Sequence, residues 1–104
     1  MNEITVQELK EKLDKGEDFQ LIDVREEFEY ETSNLGGQLI PLGGILIEAD
    51  KVSKDKPVVV MCRSGKRSAA AIMQLQQLGY SNLTNLKGGI LAWAAEVDPT
   101  LNVY

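Results

Sequence analysis

Segments with the pattern of a helix alternate along this chain with segments that have the pattern of a strand. The clearest strand is the β-branched run Pro57–Met61, and the clearest helix, Ser68–Leu78, begins a few residues later. Such alternation favours strands that run in the same direction, because a parallel pair needs a crossover and a helix usually supplies it. The sequence therefore predicts an α/β fold with a small, mainly parallel central sheet of four or five strands, flanked by helices on both faces.

Shorter patterns predict the remaining elements. Thr5 and Glu8 have the spacing of a capping box, so a first helix is expected here, with its end marked by Gly16. The other predicted elements are strands at 19–24 and 83–86, at most a short strand at 39–41, and helices at 25–30, 45–50 and 90–96. With no repeat or linker in its 104 residues, the chain is expected to form one domain, 1–104.

Composition excludes several classes of function. The chain has 16 acidic and 11 basic residues, a net charge of −5, which argues against a nucleic-acid-binding protein. Its apolar runs are far too short to span a membrane, and residues 1–5 lack the basic and apolar regions of a signal peptide. We therefore expect a cytoplasmic protein that binds neither nucleic acid nor membrane.

The chain has no histidine and only one cysteine, Cys62. The first absence excludes a Cys–His pair, a histidine base and any histidine-containing metal site. A single cysteine excludes an internal disulfide and a Cys-x-x-Cys motif. If Cys62 reacts, its own loop must activate it, and no second cysteine in this chain resolves the product.

Cys62 follows the strand at 57–61 and opens a cationic segment, 62–68, that leads into a helix. Gly65 allows close approach of the backbone, and Ser68 is expected to cap the helix. The segment holds three of the chain's 11 cations, Arg63, Lys66 and Arg67. Cationic neighbours, a helix N-terminus and successive backbone N–H groups lower the pKa of a thiol and attract anions. Most single cysteines are core residues, but this context favours thiolate chemistry on a small anionic substrate.

Two acidic features have simpler interpretations. Asp23 lies at the carboxyl end of the strand at 19–24, and the carboxyl ends of parallel strands meet at one edge, so we expect Asp23 close to Cys62. A structural role is favoured for it, with Arg25 as its ion-pair partner. The acidic residues that follow are interpreted as a solvated face rather than a metal cluster; they are Glu26, Glu27, Glu29 and Glu31. Trp93 is interpreted as a core aromatic residue.

Three blocks, in order and at suitable spacing, resemble the signatures of the single-domain rhodanese-like sulfurtransferases. They are 21–26 with Glu29-Tyr30, the segment 62–68, and 86–90 with Ala92-Trp93. The resemblance covers nearly the whole chain and implies the rhodanese-like fold.

The resemblance also implies a reaction. The Cys62 thiolate would take a sulfane sulfur from a donor such as thiosulfate, become a persulfide, and pass the sulfur to a nucleophile, with cyanide as the assay acceptor. No metal or organic cofactor takes part. By the same resemblance, backbone N–H groups from Ser64 to Ser68 would cradle the persulfide and the loop cations would orient the donor. The residues assigned to substrate are therefore Arg63, Ser64, Gly65, Lys66, Arg67 and Ser68.

Other functions stay open at this point. A sulfur carrier would take sulfur from a protein donor and deliver it to a partner protein, and a silent module would use the loop only for binding. A phosphatase or arsenate reductase is disfavoured, because related phosphatases have five residues between cysteine and arginine and this chain has four, from Cys62 to Arg67. One departure from the family is Asn34, which stands where a histidine is usual. Lys66 replaces a commonly uncharged residue and would favour a more anionic donor.

Overall fold

The computed structural model describes residues 1–103, and Tyr104, the last residue of the predicted domain, lies outside them. Strands and helices alternate along the described chain, as the sequence predicts. The strands are β1 (Glu3–Ile4), β2 (Gln20–Asp23), β3 (Gln38–Leu39), β4 (Val58–Met61) and β5 (Leu83–Leu86). The helices are α1 (Val6–Asp14), α2 (Glu27–Thr32), α3 (Lys66–Gln77) and α4 (Gly89–Glu96).

The five strands form one sheet in the order β1-β5-β4-β2-β3, and every strand pair in it is parallel. The predicted α/β class is therefore confirmed. The central strand is β4, which pairs with β2 on one side and β5 on the other. Because parallel strands share their carboxyl edge, the ends of β2 and β4 lie side by side, with Asp23 opposite Met61.

Helices cover both faces of the sheet, and the alternation of side chains along β4 shows how. Val58, Val60 and Cys62 belong to one buried apolar cluster, which also contains Ile72 and Leu75 of α3. Val59 and Met61 belong to a second cluster on the opposite face, which is completed by residues of α1 and α4. Fully buried parallel strands are continuous apolar runs for this reason.

Two expectations about the elements are wrong, and one strand was missed. Residues 45–50 do not form an α-helix; short 3-10 turns at Leu42–Gly44 and Ala49–Lys51 flank an irregular stretch. The strand β1 was not predicted, because two residues are too few to show a period. Helix α3 begins at Lys66, so Gly65 holds the N-cap position and Ser68 lies inside the first turn instead of capping it.

The first helix and Trp93 agree with what the sequence predicts. Thr5 and Glu8 form the predicted capping box, with the Glu8 N–H donating to Thr5 Oγ1 and the Thr5 N–H donating to Glu8 Oε1. Trp93 is half-buried and packs against the cluster formed with α1 and α4, in agreement with its interpretation as a core aromatic.

Within residues 1–103, no helix has the length and apolar character needed to cross a membrane.

Candidate active site

Cys62 lies immediately after β4, where the chain turns into α3. Its side chain is only 1% exposed, so the sulfur is almost closed off from water. The turn depends on Gly65, which has a φ of +107° at the N-cap of α3. Because this conformation is strained for residues with a side chain, glycine lets the loop close tightly around the sulfur.

Hydrogen bonds from the loop converge on Cys62 Sγ. The Gly65 N–H donates to Sγ at 3.0 Å, and Ser68 Oγ lies 3.3 Å from it. Burial is the largest single influence on the Cys62 thiol, and it raises the pKa. When Cys62 is ionised, hydrogen bonds from the Ser68 side chain and from the backbone N–H groups of Ser68, Gly65 and Ser64 together outweigh burial and hold the Cys62 pKa below its ordinary value. The site therefore favours a thiolate.

The N-terminus of α4 sets the orientation of the loop backbone. The Ile90 N–H donates to the Cys62 carbonyl at 3.0 Å, and the Leu91 N–H donates to the Arg63 carbonyl at 3.1 Å. Because N–H and C=O point in opposite directions in a trans peptide, the N–H groups of Arg63 and Ser64 point away from α4. The Ser64 N–H is one of the groups that lower the Cys62 pKa.

Gly89 makes this contact between loop and helix possible. A Cβ atom built on it would lie 2.4 Å from the Arg63 carbonyl oxygen and 2.5 Å from that of Cys62. Both approaches are shorter than any ordinary van der Waals contact, and both partners are backbone atoms. Gly89 also has a φ of +59°, which disfavours a side chain on its own.

A buried polar network supports the sulfur from the sheet side. Ser68 Oγ donates to Asn85 Oδ1 at 2.5 Å, and Asn85 Nδ2 donates to the Gly65 carbonyl at 3.1 Å. Ser68 is fully buried and Asn85 is 5% exposed. Sequence reasoning missed Asn85; the available signal was a polar residue in a short strand between Leu83 and Leu86.

The predicted solvated face is wrong at Glu29. This residue is 2% exposed, and its carboxylate accepts two hydrogen bonds from the Arg67 guanidinium, at 2.6 and 2.9 Å. The paired contact joins α2 to the first turn of α3, next to the cysteine loop. Arg67 thus has a structural contact, while its predicted action on the donor stays a prediction.

The other predicted substrate residues lie around the same loop. Arg63 is half-buried, whereas Ser64 and Lys66 are exposed. Lys66 is the first residue of α3, where N–H groups have no partner inside the helix. Their roles toward a substrate stay predictions.

Asp23 and Arg25 form a buried ion pair at the end of β2. Arg25 donates from Nη2 to Asp23 Oδ2 at 2.8 Å and from Nε to Oδ1 at 3.0 Å, and both side chains are buried. Arg25 also donates to the Ser33 carbonyl at 2.8 Å, so the pair fixes the segment that follows β2. Asn34 makes local hydrogen bonds, donating to the Tyr30 carbonyl and accepting from the Gly36 N–H.

Comparison with known proteins identifies the family. Residues 5–96 match the Rhodanese-like domain, so the chain belongs to the rhodanese-like family. It is 40% identical to "Sulfurtransferase" of Allochromatium vinosum over 90% of this chain and 89% of that protein. A rhodanese-like domain protein from Staphylococcus aureus superposes with a TM-score of 0.84 at 30% identity, covering 100% of this chain and 99% of that one.

Other relatives are longer than this chain. "Probable adenylyltransferase/sulfurtransferase MoeZ" of Mycobacterium tuberculosis is 38% identical over 97% of this chain, which spans only 26% of that protein. "Putative sulfur carrier protein YrkF" of Bacillus subtilis is 30% identical over 92% of this chain and 52% of its own length. The domain thus occurs both as most of a protein and as part of a larger one.

Replacing Gly89 with alanine tests the contact between the loop and α4. We expect Gly89→Ala to lower the free energy of unfolding by more than Gly16→Ala, because Gly16 has nearly the same φ, +63°, but open space around it. Gly16→Ala carries the conformational cost alone, about 1–2 kcal/mol. Urea unfolding of both variants measures the difference, and equal losses would contradict the account.

The pH dependence of Cys62 alkylation tests the lowered pKa. We expect the iodoacetamide rate to reach half its maximum below the usual thiol value of about 8.5, because only the thiolate reacts. The lowered pKa also stabilises the folded protein at pH values above the pKa that the thiol has in the unfolded chain. This stabilisation is lost as the pH falls through the lower pKa of the folded protein. A midpoint at or above 8.5 would count against the site described.

Proposed function

We propose that this protein is a sulfurtransferase in which Cys62 carries the transferred sulfur as a persulfide. One observation carries the proposal: a buried Sγ held by backbone and hydroxyl hydrogen bonds that lower the pKa of its thiol. Buried thiols in apolar surroundings have raised pKa values and are inert. Two relatives that carry sulfurtransferase in their names add support.

The proposed reaction proceeds in two balanced steps. First, the Cys62 thiolate attacks the outer sulfur of thiosulfate; the new S–S bond forms as the old one breaks, and sulfite leaves with its electron pair. Second, cyanide attacks the outer sulfur of the persulfide, giving thiocyanate and returning the thiolate. N–H groups of the loop would stabilise the negative outer sulfur, as similar groups bind oxyanions elsewhere.

Among the loop cations, Lys66 is the one we propose for attracting the donor. Its side chain is exposed at the start of α3, while Arg67 has its guanidinium against Glu29. An exposed ammonium group near a thiolate raises the local concentration of a doubly charged anion. Arg63, half-buried in the loop, is proposed to act with it.

We propose, as the setting of this reaction, one domain spanning 1–104 that acts in the cytoplasm without a metal or organic cofactor. Its donor would be a small anion such as thiosulfate.

Replacing Cys62 with serine tests the nucleophile. We expect Cys62→Ser to abolish thiocyanate formation from thiosulfate and cyanide, because an alkoxide is not formed at neutral pH and no other cysteine is present. Circular dichroism should show an unchanged fold, since serine is close in size to cysteine. Retained turnover in a folded variant would end the proposal.

Replacing Lys66 with alanine tests the donor site. We expect the KM for thiosulfate to rise about twofold to fivefold with little change in kcat, the range expected for one exposed charge. Lys15→Ala is the control, because Lys15 is an exposed lysine at the end of α1. Added salt should shrink the difference between Lys66→Ala and the unmutated protein. Equal KM values at low salt would remove Lys66 from the proposed site.

A sulfur carrier is the second candidate, and the similarity to YrkF favours it. In that case Cys62 would receive sulfur from a protein persulfide and deliver it to a partner protein. Comparing single-turnover rates distinguishes the two functions: faster loading from a protein persulfide than from saturating thiosulfate would indicate a carrier.

A further inference from the structure

The Ser68 hydroxyl lies between two groups that can both accept its proton. Asn85 Oδ1 is 2.5 Å from Ser68 Oγ, and Cys62 Sγ is 3.3 Å from it. A hydroxyl has a single proton to donate. Its direction therefore decides whether Ser68 is a donor or an acceptor toward the sulfur.

Gly65 fixes the orientation of the Asn85 amide. The Gly65 carbonyl only accepts hydrogen bonds, so the atom of Asn85 that lies 3.1 Å from it must be the N–H donor, Nδ2. The oxygen Oδ1 then faces Ser68, and the short contact requires the hydroxyl proton to lie between them. Ser68 Oγ is left with lone pairs directed at Cys62.

We propose that Asn85 is a positioning residue, which holds the Ser68 proton away from Cys62 while Cys62 is a thiol. The Cys62 S–H then donates to Ser68 Oγ, and ionisation of Cys62 requires the hydroxyl to turn from Asn85 to the sulfur. The S–H proton leaves to solvent, and no other bond is made or broken. In a persulfide the charge moves to the outer sulfur, so the hydroxyl returns to Asn85. This consequence for turnover rests on the proposed function, whereas the hydrogen-bond direction does not.

Charged groups around the loop are common to every variant in the test. They are Arg63, Lys66 and Arg67 on the loop and α3, Glu29 on α2, and the Asp23–Arg25 pair after β2. Asn85 is uncharged, so its replacement leaves this set unchanged.

A double-mutant cycle on the Cys62 pKa isolates the effect of Asn85 through Ser68. Asn85→Leu has two effects on the loop. It removes the acceptor that competes with Cys62 for the Ser68 proton, and it removes the N–H donor to the Gly65 carbonyl. Only the second effect remains when Ser68 is replaced with alanine. We expect Asn85→Leu to raise the ratio of thiolate to thiol about threefold more with Ser68 present than in Ser68→Ala. Equal effects in the two backgrounds overturn the proposal.

Asn82→Leu provides a matched control. Asn82 lies next to the start of β5 and donates to the Ser53 and Lys56 carbonyls, far along the strand from the sulfur. Its replacement should lower stability and leave the alkylation midpoint unchanged. A midpoint that moves as in Asn85→Leu overturns the assignment, because loss of a strand amide would then suffice.

The S–H stretching band gives an answer even if Asn85→Leu fails to fold. With one cysteine in the chain, the Raman band of the thiol at low pH belongs to Cys62 alone. We expect it at lower frequency in the unmutated protein than in Ser68→Ala, because a donating S–H bond is weakened. Identical frequencies overturn the proposal. Neither measurement uses a sulfur donor, so a failure here is distinct from a failure of sulfur transfer.

Discussion

The contact between the cysteine loop and the N-terminus of α4 is the constraint on which the rest of the site depends. The Cys62 and Arg63 carbonyls accept hydrogen bonds from Ile90 and Leu91, and this fixes the direction of the N–H groups that follow. The contact exists only because position 89 has no side chain. One glycine, 27 residues from the cysteine in sequence, thus determines which atoms of the loop face the sulfur.

Opposing effects set the pKa of Cys62. Burial at the carboxyl end of a central strand disfavours charge on the thiol, while the loop N–H groups and Ser68 favour it. The balance fits the proposed function, in which Cys62 must be charged as a nucleophile and must also leave when the sulfur is passed on. Because the ion pair of Arg67 and Glu29 anchors the first turn of α3, the backbone N–H donors keep their places while the Ser68 hydroxyl turns.

Local patterns in the sequence were sufficient for the order of β4, the cysteine loop and α3 and for the class of fold, but not for the cap of α3, which is Gly65 instead of Ser68. The β-branched run, the cationic loop and the helix pattern that follows each lie in one short segment, so no distant contact is needed to interpret them. Glu29 was misassigned because its burial depends on Arg67, 38 residues away. Asn85 was missed for the same reason, since its partners Ser68 and Gly65 lie 17 and 20 residues before it. Polar residues buried by distant partners carry no periodic signal of their own.

The central claim is that Cys62 itself carries the sulfur, and the intact mass of the protein tests it most directly. After mixing with thiosulfate in the absence of reductant, the account predicts a gain of one sulfur atom. That gain should disappear on addition of cyanide and should be absent in Cys62→Ser. A sulfur adduct that persists in Cys62→Ser, or no adduct from either thiosulfate or a protein persulfide, would contradict the account.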